Sequence, residues 1–327
     1  VKQMDHKKDV LISVIIPVKN GDTWIDACIR GIMGQTLFSQ CEIIVIDSGS
    51  TDGTLEALEA YPVRLYQIPP ESFNHGETRN FGVSLAKGKF IALTVQDAVP
   101  SDDQWLNRLY SCFTDDAIAG VCGRQAVPHH PDKNPMDWYR PASAPTIRRV
   151  QFPSPEAFEA LSPVEKKNAC LWDNVTAMYR KEVLLQIPFR PAVFAEDIIW
   201  SKEALLAGYA IVYNPQAKVY HYHFENREYI FKRTLTTLYF RYTTLGFVPI
   251  YSPMTVKEKL SMINRLMFSG GVSFRKKLSW FKYNVERRKT IVEAYSVFTQ
   301  AMSKGDKELS AVHERYCGKP PVPVKLN

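Results

Sequence analysis

The sequence predicts an α/β fold: a mixed, mostly parallel sheet flanked by helices, followed by a helical extension. Three observations carry this. Apolar runs of strand length recur through the first two thirds of the chain, most close in turns rich in Gly, Pro, Ser, Asn or Asp, and several of those turns lead into apolar residues at helical spacing. With 327 residues there is room for one large domain with an extension or for two domains. The expected division is an α/β domain over 1–250 and a basic, amphipathic helical region over 251–327.

Composition narrows the class. A hydrophobic content of 45% with 23% charged residues belongs to a folded protein. The first ten residues are polar and charged, and no window approaches the roughly 20 apolar residues of a spanning helix. Six cysteines (Cys28, Cys41, Cys112, Cys122, Cys170, Cys317) are widely spread without a C-x-x-C pair. That spacing argues against a disulfide framework or zinc knuckle and for reduced thiols in the cytoplasm.

Leu11–Pro17 is the first expected strand, turned by Asn20-Gly21-Asp22 into a helix carrying Ile25, Cys28, Ile29 and Ile32. Glu42–Ile46 is the second, ending in Asp47-Ser48-Gly49-Ser50-Thr51-Asp52-Gly53-Thr54. An acid there suits a nucleoside, whose ring N–H or ribose hydroxyl a carboxylate accepts; an Asx-turn and helix cap explain Asp47 and Asp52 equally well. Val63–Ile68 is a third strand. After it, Gly76 and Arg79 at a helix start could cradle a diphosphate, or form an ordinary loop with a solvated arginine. The run from Phe90 reads as a buried strand delivering Asp97 to the sheet edge, where open α/β sheets bind ligands.

Trp105–Phe113 is amphipathic, Ile118–Cys122 a short buried strand, and 128–145 a long Pro- and His-rich loop of the kind that is either a lid or a linker. His129 and His130 within it read as solvated rather than as metal ligands. Asn174–Arg180 leads as a strand into a short helix. Phe194-Ala195-Glu196-Asp197 sets two acids at the start of a helix reaching Gly208, a pattern that a simple dipole match also produces. Ala210–Asn214 and Lys218–Tyr222 are two further strands, and alternation puts His221 and His223 on one side.

Taken in order, Ser13–Pro17, Ile44–Thr54, Gly76-x-x-Arg79-Asn80, the strand to Asp97 and Phe194–Asp197 resemble the motifs of family-two inverting glycosyltransferases with a GT-A fold. Phe73-Asn74-His75-Gly76-x-Thr78-Arg79-Asn80 with Gln96-Asp97-Ala98 is similar to the bacterial rhamnosyltransferase branch, which builds O-antigen and other surface polysaccharides. The resemblance covers about residues 10–225.

It implies a nucleoside diphosphate sugar as donor, dTDP-β-L-rhamnose first and a UDP-sugar as the alternative, and a glycan or undecaprenyl diphosphate-linked acceptor. Pro17 and Asp47 would hold base and ribose, and Arg79 would lie near the nucleotide. Asp97 would bind a divalent Mg²⁺ or Mn²⁺, with His221 completing the metal site, and Gln96 would donate to a phosphate or sugar oxygen. Asp197 would be the general base and Glu196 its assistant or an acceptor ligand. Trp172 and Trp200 have two readings, stacking on an acceptor sugar or packing in the core, the commoner place for a tryptophan at a helix start. Many relatives carry Asp-x-Asp where this chain has Gln96-Asp97, so the metal site would lean on His221 or His223. A nucleotidyltransferase would instead need a glycine-rich, basic phosphate loop near the first strand, of which residues 17–21 are a weak version. A non-catalytic sugar-binding module is disfavoured by Asp97, Asp197 and His221 occurring together.

Charge marks the tail. Residues 256–289 carry ten Lys or Arg against Glu258 and Glu286, while the whole chain is only +7. Apolar stripes (Leu260, Ile263, Leu266, Met267; Leu278, Trp280, Phe281, Val285) accompany this charge. Two readings fit residues 256–298: a peripheral contact with an anionic membrane surface at the inner face of the cytoplasmic membrane, or helices packed on the α/β domain. Nucleic acid is the poorer partner and is not expected, because the aromatics lie on apolar stripes rather than in an RNA-binding motif.

Overall fold

The computed structural model describes residues 10–318 apart from Val193. The polar first nine residues and the end of the expected 251–327 region lie outside the described residues. Nine strands form one sheet: β1 (Ile12–Val18), β2 (Cys41–Asp47), β3 (Arg64–Gln67), β4 (Phe90–Leu93), β5 (Ala98–Pro100), β6 (Ile118–Ala126), β7 (Arg148–Val150), β8 (Ala177–Arg180) and β9 (Ala210–His221). Their order is β3-β2-β1-β4-β8-β6-β9-β5, with β7 also paired to β9. β1, β2, β3 and β4 are mutually parallel, β8 runs against β4 and β6, and β6 is parallel to β9. The carboxyl ends of β1, β2, β3, β4, β6 and β9 therefore share one edge, and the functional side chains collect there.

Near-continuous Ile and Val runs make this sheet because both of its faces are covered. In β1, Val14 and Ile16 pack with Ile25, Ile29 and Trp105 on one side. Ile15 points to the other, into a cluster with Val83, Phe158, Tyr179 and Trp200.

Several elements differ from expectation. β4 ends at Leu93, so Asp97 sits in the turn before β5 rather than on the strand. The two runs expected over 210–222 are one strand, whose pairing with β6 shifts register between Cys122 and Arg124. A helix over Arg227–Leu245 was not expected, while one over Asp306–Cys317 lies within the region expected to be helical. Leu235 and Leu238 of the former share an apolar cluster with Ala294, Phe298, Ala301 and Leu309. The helix Arg227–Leu245, on the N-terminal side of the expected 250/251 division, thus packs with helices from its C-terminal side. All six cysteines are free, and no helix among the described residues is long and apolar enough to cross a membrane.

Candidate active site

Two loops at the shared edge clasp each other. Asn20, with φ 50°, donates its N–H to Ser50 Oγ and accepts from Thr51 N. Gly21 N–H donates to Thr54 Oγ1 at 2.7 Å. Asp47 is fully buried, and its carboxylate accepts from the N–H groups of Gly49 and Ser50. The Asx-turn expected as one alternative is present, and it shapes the floor between β1 and β2 beside Pro17. Gln96 accepts from Lys19 N–H at 2.8 Å and donates to Lys19 O at 3.0 Å. Its amide therefore ties the Asp97 turn to the first loop, a correction to the expectation that it faces a ligand.

Asp97 meets two imidazoles because β5 pairs antiparallel with β9 and sets Ala98 opposite His221. Asp97 Oδ2 is 3.3 Å from His221 Nε2 and 3.5 Å from His223 Nδ1. Burial alone would raise the Asp97 carboxyl, but the two histidines outweigh it and hold the group well below the usual carboxylate range. One ligand atom from each of the three residues lies within 4.8 Å of the others.

The state of His221 follows from its far side. Gln125, near the end of β6, donates its Nε2 to Asp173. A carboxylate only accepts, so Gln125 must present Oε1 to His221 Nδ1, 2.7 Å away. His221 Nδ1 then carries a proton, and Nε2 is the ring nitrogen turned toward Asp97. His223 Nε2 is 3.1 Å from the Tyr229 hydroxyl, and its buried Nδ1 has no partner among the described residues nearer than Asp97 Oδ2. Two imidazole nitrogens turned toward one buried carboxylate are the donor set of a divalent cation site, and Gln125 and Asp173 supply the outer support such ligands need. Gln125 was not anticipated: its role comes from what β9 and Asp173 bring to it, and nothing local marks it.

Glu196 and Asp197 open the helix Glu196–Leu206 after Ala195, which is left-handed at φ 64°. A non-glycine residue in that region costs about 1–3 kcal/mol and marks an over-determined site. The determinants come from the Phe73–Asn80 motif. Asn74 accepts from Gly76, Glu77 and Ala192 N–H groups, and Asn80 makes a two-way amide contact with the Phe189 backbone. A Cβ on Gly76 would lie 2.1 Å from Arg190 O. The motif thus clamps the segment that delivers the two acids.

Arg79 completes the clamp. It is 4% exposed, donates to His75 O at 2.8 Å and pairs with Glu196 Oε1 at 3.1 Å. Burial would raise the Glu196 carboxyl, but Arg79, His75 and Asn174 together hold it below its ordinary value. Arg79 is turned inward, onto His75 O and Glu196, and Glu196 is engaged in that internal ion pair rather than presented free. Trp172 and Trp200 take the core reading, being 7% and 0% exposed and packed against each other and Tyr179. Trp172 donates to the Tyr179 hydroxyl, Tyr179 donates to Asn174, and Asn174 donates to Glu196. The tryptophans support the acid pair from beneath.

Asp197 is left as the half-buried acid of the pair, its Oδ1 accepting from its neighbour Ile198 N–H. Burial, then Glu196 and Asp173, push its carboxyl up to about 8, which suits a group that must take and release a proton near neutrality. His129 stacks on Trp138 and His130 pairs with Asp132.

Residues 13–186 match the family described as glycosyl transferase family 2. Over 218 residues the chain is 32% identical to the O-antigen chain rhamnosyltransferase RfbN of Salmonella typhimurium, covering 65% of this chain and 66% of that protein. It is 32% identical over 187 residues to the O-antigen chain rhamnosyltransferase WbaN of Salmonella anatum, 56% of each. The chain thus spans less than two thirds of the length of either relative. Among solved structures, the mannosyltransferase PcManGT from Pyrobaculum calidifontis in complex with GDP-Man and Mn²⁺ superposes with TM-score 0.52 at 16% identity, over 94% of this chain and 79% of that one. TarS 1-349 of S. aureus in complex with UDP-GlcNAc gives 0.53 at 18%, over 94% and 92%.

Proposed function

The chain belongs to glycosyl transferase family 2 and has the GT-A fold, and from that premise we propose that it is an inverting rhamnosyltransferase of bacterial surface polysaccharide synthesis. Its donor is dTDP-β-L-rhamnose. The acceptor is a hydroxyl of a glycan carried on undecaprenyl diphosphate at the inner face of the cytoplasmic membrane. Identity of 32% to two O-antigen chain rhamnosyltransferases supports the sugar and the pathway class.

The observation that carries the chemistry is the convergence of Asp97, His221 and His223 at the carboxyl edge of the sheet. Those residues would hold a divalent cation, Mn²⁺ in preference to Mg²⁺, because two of three donors are imidazole nitrogens. When bound, such an ion supplies positive charge to the departing diphosphate. Everything else falls to the chain. The clasped loops at Asn20–Thr54 and the Asp47 turn receive the nucleoside, and Asp197 accepts the proton of the acceptor hydroxyl. As that O–H bond breaks, the oxygen bonds to the anomeric carbon from the face opposite the leaving group. The anomeric carbon–oxygen bond to the diphosphate breaks and dTDP departs, so configuration inverts. A positioned base of this kind contributes roughly 10²- to 10⁴-fold.

A donor panel tests the reading: dTDP-rhamnose, UDP-GlcNAc, UDP-Gal and UDP-galactofuranose, scored by nucleoside diphosphate release with and without Mn²⁺. Release from dTDP-rhamnose above the others supports the proposal; preferential release from a UDP-sugar overturns the donor assignment.

A further inference from the structure

The helical region leaves one apolar face unpartnered. On the helix Val256–Met267, the body-facing Met262 and Leu266 are buried, whereas Val256, Leu260, Ile263 and Met267 are 72%, 61%, 43% and 52% exposed. At about 100° per residue these four fall within roughly 60° of arc and form a ridge about 16 Å long on the side away from the protein. The chain continues past the ridge with Phe268 and Phe274, 82% and 70% exposed. This corrects the sequence-derived stripe, since Leu266 is turned inward; Trp280 and Phe281 are only partly exposed, and Trp280 packs on Phe224 and Tyr283.

Charge surrounds the ridge. On the helical wheel Lys257 and Lys259 fall on its two flanks, and Arg275, Lys276 and Lys277 follow Phe274. Of the ten basic residues between 256 and 289, Arg287, Arg288 and Lys289 are paired with acids. The other seven have no ion-pair partner among the described residues, and the two acids in the segment, Glu258 and Glu286, are already engaged. A ridge of exposed aliphatic and aromatic side chains bordered by unneutralised cations complements an anionic lipid surface. It does not complement itself, because a second copy docked face to face would bring like charges together.

We infer that the helix Val256–Met267 and the start of the helix Phe274–Met302 dock the protein on an anionic bilayer, with Val256, Leu260, Ile263, Met267, Phe268 and Phe274 entering the headgroup boundary. This deepens the proposed lipid-linked acceptor, resting on that reading only for why the enzyme works at a membrane; the docking face stands on exposure and charge.

Cosedimentation of the full chain with phosphatidylcholine vesicles, with and without phosphatidylglycerol, is the test. Binding is expected only to the anionic vesicles and is expected to weaken as salt rises. Leu260→Gln with Ile263→Gln, both on an exposed face, should retain the wild-type melting curve and bind vesicles at least about tenfold more weakly. Wild-type binding equal for both lipids, or unchanged in the double variant, overturns the inference. So does a wild-type dimer by light scattering that the variant converts to monomer. Nucleotide release from soluble donor, run in parallel, should be the same for both proteins. Its absence in both would remove the transferase reading while leaving the docking result intact.

Discussion

Replacing Glu196 by Gln separates a structural from a catalytic acid. The Glu196–Arg79 pair is almost without solvent, with side chains 7% and 5% exposed. Glu196→Gln keeps the shape and an acceptor oxygen but leaves the guanidinium charge buried, with its Nε already unpartnered and His75 O as its other oxygen contact. Removing one member of a buried pair costs about 3–5 kcal/mol. At the lower end, and at about 2–4 °C per kcal/mol for a large domain, the melting temperature should fall by about 6–12 °C. The same variant has a second readout. Burial is the main cause of the raised Asp197 carboxyl, but the Glu196 charge is next. Asp197 must be ionised to accept a proton, so activity falls as pH drops through its pKa, and removing Glu196's charge should move that acid limb to lower pH. Differential scanning fluorimetry and a pH–rate profile of dTDP release read the two effects. A variant that melts with wild type, or an acid limb that stays in place, would refute the structural assignment; normal stability with turnover abolished would restore Glu196 as a catalytic group.

Three further outcomes follow from the geometry. Gln125→Leu removes the acceptor that fixes the His221 proton on Nδ1, and should weaken Mn²⁺ binding by about 10- to 100-fold, as read by paramagnetic resonance of free Mn²⁺; unchanged affinity would sink the tautomer argument. Gly76→Ala puts a Cβ 2.1 Å from Arg190 O, so the backbone clamp must open; soluble yield and melting temperature should both fall, with wild-type behaviour counting against the clamp. Asp197 has a folded pKa near 8 against about 3.9 when unfolded, so the native state holds the extra proton between those values and its stability falls as pH rises through that window. The melting temperature of Asp197→Asn minus that of wild type should therefore grow from pH 5 to pH 8; a constant difference would contradict the raised pKa.

The strands around the site were legible because both sheet faces are covered: Ile12–Ile16 and Ile43–Ile46 have no polar alternation to confuse with a helix. Asp97 was legible as an acid following such a run, and His221 and His223 as a same-side pair. What could not be read was who meets whom across the sheet. Gln125 has no local mark, and its importance arises only when β9 carries His221 beside it. Arg79 and Glu196 each looked ready for a ligand because their partner was far along the chain. The Phe73–Asn80 motif correctly indicated the family, and nothing local to it shows that Asn74 and Asn80 grip the Phe189–Ala192 backbone. For Trp172 and Trp200 the sequence leaves both readings open, because an aromatic near a candidate site looks the same whether it faces sugar or core; both are core.

Asp197→Asn tests the central claim most directly, with donor binding and turnover measured on the same protein. Calorimetric titration with dTDP-rhamnose and Mn²⁺ should give the same affinity as wild type, while dTDP release in the presence of acceptor glycan falls by roughly 10²- to 10⁴-fold. Turnover retained, or donor affinity lost in step with turnover, would contradict Asp197 as the base of an inverting transfer.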